Sequence, residues 1–155
     1  MTTLVLRRAT AADRDRLLEW RNDPLTRRWS FGQSRVSAAE HDEWFTRKLQ
    51  DPDCALFIAV EDDTPIGQVR LDLGNDAEAE VSIALAPQAR GRRMATDVLR
   101  LAASRARELQ VAEVTARVNA GNTPSLRAFQ RAGYAERRRE PGVVVLSCDL
   151  RSSEA

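Results

Sequence analysis

The sequence predicts an α/β fold, with one mixed sheet carrying helices on its faces. Three observations lead there. Short runs rich in β-branched residues cluster between positions 54 and 86. Beyond them, apolar residues switch to helical spacing. From there strand and helix patterns alternate to the C-terminal end, and grouped strands followed by alternation define a mixed sheet. At 155 residues, with 43% hydrophobic and 30% charged content, residues 1–155 are expected to form one globular domain.

Each element has a local cause. "LVLRRA" is a short first strand, and Thr10 opens a helix with Asp13 placed as an imperfect capping box. Leu17, Leu18, Trp20 and Arg21 carry that helix to "RNDP", where Pro24 breaks it. Ser37 and Glu40 are spaced as a capping box for a helix over 38–50. "CALFIAV", "IGQVRLDL" and "AEVSIALA" are three strands joined by turns at "DDTP" and "GND". In the last of them Val81, Ile83 and Leu85 share one face, and Ser82, Ala84 and Ala86 the other. Ala95, Val98, Leu99, Ala102, Ala106 and Leu109 then mark a helix. "AEVTARV" is a strand, and "NTPSLRAFQRAG" a helix starting near Asn122, with Thr123 as its cap, Pro124 in its first turn and Gly133 at its end. "YAERRRE" and "VVVLSCDL", joined at "PG", close the chain as a hairpin.

The totals exclude several classes. Twenty-four Lys and Arg against 23 Asp and Glu leave a formal charge of +1, giving no general reason to bind nucleic acid or an anionic membrane. Cys54 and Cys148 form no disulfide framework, so a reducing, cytoplasmic setting is expected. "MTTLVLRRAT" lacks the apolar core of a signal peptide, and no run approaches the roughly 20 apolar residues of a membrane span. No His, Cys or carboxylate spacing suggests a metal. "RRW" and "ERRRE", without interleaved exposed aromatics or a strongly positive total, fit solvated faces.

The most informative stretch is "LAPQARGRRMATDVLR", residues 85–100. A strand enters a helix whose first N–H groups lack intrahelical partners, and the helix dipole favours an anion there. Gly91 admits a ligand close to the backbone, and Arg90, Arg92 and Arg93 are suited to phosphate. A helix start whose arginines merely face water fits the same residues. Neither GxxxxGK[ST] nor GxGxxG is present.

"APQARGRRMATDVLR" resembles the acetyl-CoA loop of the GNAT acetyltransferase superfamily, [Q/R]-x-x-G-x-[G/A], with Arg90 first and Ala95 last. Arg93 stands where the middle glycine belongs. A left-handed backbone there would cost a non-glycine roughly 1–2 kcal/mol, whereas a first-turn helical one costs nothing, and position 93 is expected to be helical. "VNAGNTPSLRAFQRAGY" resembles the family's following strand and helix, with Asn122, Ser125, Phe129, Gly133 and Tyr134 in register. The element order from Leu4 to Leu150 also resembles that of the family.

The resemblance implies a central, mostly antiparallel sheet splayed at the cofactor site, and acetyl transfer from acetyl-CoA to an amine by direct attack, without a metal. Coenzyme contacts would come from Ile83, Ala84 and Leu85 along a strand edge, from Arg90, Gly91, Arg92, Arg93, Met94 and Ala95 in the loop, and from Asn122, Ser125 and Phe129. A bulge near this strand edge would aim an N–H at the thioester carbonyl. Many relatives carry a tyrosine acid where this chain has Phe129, so Ser125 is the candidate partner of the sulfur, with Tyr134 behind it. Glu80, before the expected bulge, is the candidate base; Asp72 and Glu78 compete with it.

In the N-terminal third, His41 and Trp44 share a helix face, and His41 fits either a proton carrier in the acceptor pocket or the edge of the core. "WRNDPLTRRWSF" and "EHDEWFTRKL" resemble N-acetyltransferases acting on nucleotide-linked amino sugars. There Arg21, Arg27, Arg28 and Arg35 would meet a diphosphate, and Trp29 or Phe31 would stack on a ring. The Asn122/Ser125 pattern resembles the ribosomal-protein N-acetyltransferases instead, which makes a protein N-terminus or small amine the alternative acceptor. A non-catalytic acyl-CoA-binding module is the rival from another class. The protein is expected as a monomer or homodimer.

Overall fold

The computed structural model describes residues 3–91 and 93–151. Strands β1 (Leu4–Arg8), β2 (Cys54–Glu61), β3 (Thr64–Leu73), β4 (Glu78–Leu85), β5 (Glu113–Asn119), β6 (Ala135–Glu140) and β7 (Val143–Asp149) form one sheet in the order β1-β2-β3-β4-β5-β7-β6. All neighbours are antiparallel except β4 and β5. Among the described residues five α-helices complete the fold: α1 (Arg14–Asn22), α2 (Pro24–Trp29), α3 (Ala38–Gln50), α4 (Met94–Glu108) and α5 (Thr123–Arg131).

The expected caps form, with two corrections. Ser37 Oγ accepts from Glu40 N at 3.1 Å and starts α3. Pro24 ends α1 but also opens α2, because Asp23 caps the new helix by accepting from Leu25 N and Thr26 N. Asn122, not Thr123, caps α5: its side chain accepts from Ser125 N at 3.3 Å. At "DDTP" Asp62 and Asp63 both take positive φ, the hairpin geometry that two acidic turn residues tolerate.

Two cores hold the layers. On one face Val69, Leu71, Val81, Val114, Ala116 and Leu146 of the sheet pack on Val98, Leu99 and Ala102 of α4 and Phe129 of α5. On the other, Leu17 and Trp20 of α1 and Phe45 of α3 cover Leu56 and Ile58 of β2. Burying aliphatic side chains of this size contributes roughly 1.5–3 kcal/mol each. The buried anchor of the N-terminal region is Asp13, 1% exposed. Its carboxylate accepts from both Nη atoms of Arg7, from Arg16 Nη1 and from Thr10 N, all within 2.9 Å.

The feature that creates a site is where β4 leaves β5. The two pair only from Glu78 to Glu80, opposite Glu113 to Thr115. β4 runs on against β3 to Leu85, while β5 runs on against β7 to Asn119. Between them the sheet opens, and the inner backbone edge of Val81–Leu85 has no strand partner. This is the expected splay. The expected bulge is absent, since β3 and β4 keep one unbroken register from Gly67↔Leu85 to Leu73↔Ala79. Gly67 permits that fit, because a Cβ there would lie 2.8 Å from Ala84 O and 2.9 Å from Leu85 Cδ2.

Candidate active site

The sheet opening points at the N-terminus of α4. After β4 a short 3-10 turn, Pro87–Ala89, leads into the loop of Arg90, Gly91 and Arg93. Arg92, one of the predicted coenzyme contacts, lies outside the described residues. Gly91 has φ +76 and open space where a Cβ would sit. Arg93, the N-cap of α4, has φ 59 and ψ 20. It is therefore left-handed, not helical as its place in the sequence suggested. The turn that aims the loop at the helix axis needs this conformation, so Arg93 carries the strain a glycine would avoid, roughly 1–2 kcal/mol. Among the described residues, no acceptor meets the backbone N–H of Gly91 or Arg93. With Met94 and Ala95 in the first helical turn, they form a row of donors at the positive end of a dipole.

Arg90 behaves differently from the cation that the sequence suggested for phosphate. Its Nη2 lies 2.6 Å from Asp23 Oδ2, 2.9 Å from Thr26 Oγ1 and 3.4 Å from Leu85 O. The side chain is committed to α2 and to the end of β4. The partners on α2, Asp23 and Thr26, were not foreseen, because nothing local links positions separated by 67 and 64 residues.

On the face of β4 opposite α4 stand Glu80, Ser82 and Ala84. Arg70 Nη2 donates to Ser82 Oγ at 3.3 Å, and its guanidinium lies 5.4 Å from the ring centroid of Trp44 on α3. Arg70 Nε and Lys48 Nζ both pair with Asp72, at 2.8 and 3.3 Å. Although burial opposes it, the Arg70 hydrogen bond and the two cations hold the Asp72 carboxyl below the usual carboxylate range. That makes Asp72 a poor base. Glu78 sits 3.8 Å from Arg137, and its hydrogen bond to Glu113 pushes the latter's carboxyl upward. Glu80 is exposed, and its side chain has no hydrogen bond or ion pair among the described residues. Of the three carboxylates it alone is uncommitted.

Ser125 is half-buried in the first turn of α5, and its hydroxyl has no partner among the described residues. Phe129 is 3% exposed, edge-on to Tyr134 with centroids 4.9 Å apart. Tyr134 is 5% exposed, and burial raises its phenol pKa well above the ordinary range, which keeps it protonated. His41 is 4% exposed, stacked on Phe45 and tilted against Trp44. Burial pushes its imidazole pKa down, toward the neutral form. Its hollow, of about 290 Å³, is lined by Arg14, Asp15, Leu18, Ala38, Ala39 and Asp42. Trp44 and Arg70 intervene between it and Ser82, so no contact joins His41 to Glu80 or Ser125.

The predicted phosphate-binding arginines are partly spent on the loop after α2. Arg21 Nη2 donates to Gly32 O at 2.6 Å, and Arg27 Nε to Gln33 O at 3.2 Å. Arg28 lies over Trp29. Trp29 packs on Gly121, where a Cβ would meet its ring at 3.3 Å. Phe31 is 55% exposed, with the Arg117 guanidinium 5.8 Å from its centroid. A larger hollow, of about 540 Å³, lies along α1 and is lined by Asp15, Glu19, Asp23 and Arg35 among others. Among the described residues no three His, Cys, Asp or Glu side chains converge on a metal position, and no helix is long and apolar enough to cross a membrane.

A parted parallel strand pair leading to a donor-rich helix start is the arrangement of an acyl-coenzyme A transferase. Residues 3–135 match the acetyltransferase (GNAT) domain family, and the chain belongs to it. Solved structures with the same fold include the Vibrio cholerae spermidine N-acetyltransferase in complex with CoA and spermine (18% identity, 96% of both chains, TM-score 0.87). Aminoglycoside acetyltransferase AAC(6')-Ib in complex with coenzyme A and kanamycin is another (18% identity, 95% of both chains, TM-score 0.81). A putative phosphinothricin N-acetyltransferase is a third (23% identity, 96% of this chain and 99% of that one, TM-score 0.80). A search of curated proteins by sequence returns no significant match. The protein is an acetyltransferase with the GNAT fold.

Proposed function

We propose that the protein moves an acetyl group from acetyl-CoA to a primary amine by direct attack in a ternary complex. The observation that carries this is the opening between β4 and β5, with its unpaired edge at Val81–Leu85, aimed at the loop before α4. The backbone of Ile83, Ala84 and Leu85 pairs with the pantetheine amides. The N–H groups of Gly91, Arg93, Met94 and Ala95 hold the diphosphate. The amine nitrogen bonds to the thioester carbon, the C–S bond breaks, the electron pair leaves on sulfur, and the proton that the nitrogen sheds on becoming an amide passes through solvent to the thiolate. Glu80 takes the ammonium proton before attack, directly or through water. Ser125 hydrogen-bonds the departing sulfur, and a thiol pKa near 8.5 makes thiolate an adequate leaving group without a stronger acid.

The acceptor enters on the α2 side of the sheet. A nucleotide-linked amino sugar is supported by the exposed ring of Phe31 beside Arg117, a platform for a base or sugar face. A small polycation is the second reading, favoured by Asp15 and Glu19 in the larger hollow and by the polyamine and aminoglycoside in complexes of similar fold. The test is thiol release from acetyl-CoA with a UDP-4-amino-sugar, kanamycin, spermidine and an N-terminal peptide, repeated with Phe31→Ala and Glu19→Gln. Preference for the sugar nucleotide that Phe31→Ala abolishes supports the first acceptor. Preference for the polycations that Glu19→Gln weakens supports the second. No thiol release with any amine, despite coenzyme binding, refutes the transferase role.

A further inference from the structure

The Asp23–Arg90 contact joins two parts of the molecule that the reaction must bring into register. Arg90 belongs to the loop before α4, and Asp23 is the N-cap of α2 on the acceptor side. One guanidinium nitrogen reaches Asp23 Oδ2, Thr26 Oγ1 and Leu85 O, linking loop, helix and the last residue of β4. The same Oδ2 accepts from Leu25 N at 3.1 Å and Thr26 N at 3.2 Å. The pair is mostly shielded, with side chains 27% and 16% exposed, so water and salt weaken it less than a surface pair.

α2 depends on such tethers. It has six residues, none of them buried, and a helix this short is not stable by itself. Its other anchor is Trp29, against Gly121 in the turn preceding α5. We infer that Asp23 is a positioning residue: through Arg90 it couples coenzyme binding in the loop to the order of α2, so that donor binding prepares the acceptor side. The inference rests on the coenzyme site proposed above. A diphosphate on the N–H groups of Gly91, Arg93, Met94 and Ala95 fixes the backbone carrying Arg90. The guanidinium then holds Asp23, and with it the start of α2 and the wall bearing Trp29.

Asp23→Asn separates this role from helix capping, because Asn caps as well as Asp but brings no charge to Arg90. Amide hydrogen exchange is measured on the full chain with and without saturating coenzyme A. Coenzyme A is expected to slow exchange at 25–30 by at least about fivefold in the wild-type protein, the low end of ordinary site coupling. In Asp23→Asn and Arg90→Gln that slowing should fall below about twofold, while protection at 91–95 persists; Asp23→Glu should retain part of it. Protection at 91–95 with no change at 25–30 in the wild type overturns the coupling and leaves the coenzyme site standing. Full slowing in Asp23→Asn also overturns it. Absence of protection at 91–95 in the wild type removes the coenzyme site and the coupling together.

Discussion

Replacing Arg93 with glycine tests the loop at its most strained point. Arg93 has φ 59, so its Cβ crowds the following carbonyl, a cost of roughly 1–2 kcal/mol for an L-residue. Glycine removes that cost but gives the unfolded chain more freedom, which returns roughly 0.4–1 kcal/mol. The balance favours Arg93→Gly by roughly 0–1.6 kcal/mol; its centre, about 0.8 kcal/mol, raises Tm by about 2–3 °C for a chain of this size. Arg93→Ala is the control: it removes the guanidinium, keeps the strain, and should lie within about 0.5 kcal/mol of the wild type. Urea unfolding of the three proteins reads the difference directly. A loss of about 1 kcal/mol in Arg93→Gly, the usual penalty for glycine in a right-handed helical position, would refute the left-handed assignment. Coenzyme A titration of the same variants separates side chain from backbone. Equal weakening in both assigns the effect to the guanidinium; weakening in Arg93→Gly alone assigns it to the turn.

Gly67→Ala places a methyl 2.8 Å from Ala84 O, so it should cost about 1–3 kcal/mol and raise the acetyl-CoA KM by moving the free edge of β4; an unaltered KM in a folded variant would show that this edge does not bind the coenzyme. Ser125→Ala should lower kcat modestly with coenzyme affinity intact, since a sulfur contact gains most as charge develops there; turnover unaltered across the pH range excludes a role for Ser125. Phe129→Tyr should lower stability by about 1–3 kcal/mol instead of supplying an acid, because position 129 is buried edge-on to Tyr134; a faster and equally stable variant would contradict this placement. Asp13 gives a pH test. Its hydrogen bond to Arg7 leads the interactions that hold its carboxyl below the usual range, so its stabilisation is complete above the unfolded value near 3.9 and is lost as pH falls through the lower folded value. The stability gap between wild type and Asp13→Asn, measured by urea unfolding from pH 6 down to pH 2, should therefore narrow with acidification; a constant gap would show that the ion pairs are not its source.

What the sequence by itself determined was everything set within a turn or two of the chain. The Ser37–Glu40 cap, the strand period through Val81 and Ile83, and the helical stripe of Val98, Leu99 and Ala102 each depend on neighbours only a few residues away. The loop "RGRRMA" was legible for the same reason, since a glycine before a helix start acts through local backbone. The tertiary structure decided what depends on distant partners. That β4 parts from β5 after Glu80 follows from which strands flank each of them, and local periodicity does not encode the flanking strand. Which of Asp72, Glu78 and Glu80 is paired depends on where Arg70, Lys48, Glu113 and Arg137 ended up. Arg90 faces Asp23 instead of solvent because α2 and the loop meet only when α1 packs on the sheet beside them. Charge type and spacing are written locally, but the partner each charge meets is fixed by packing across the whole fold.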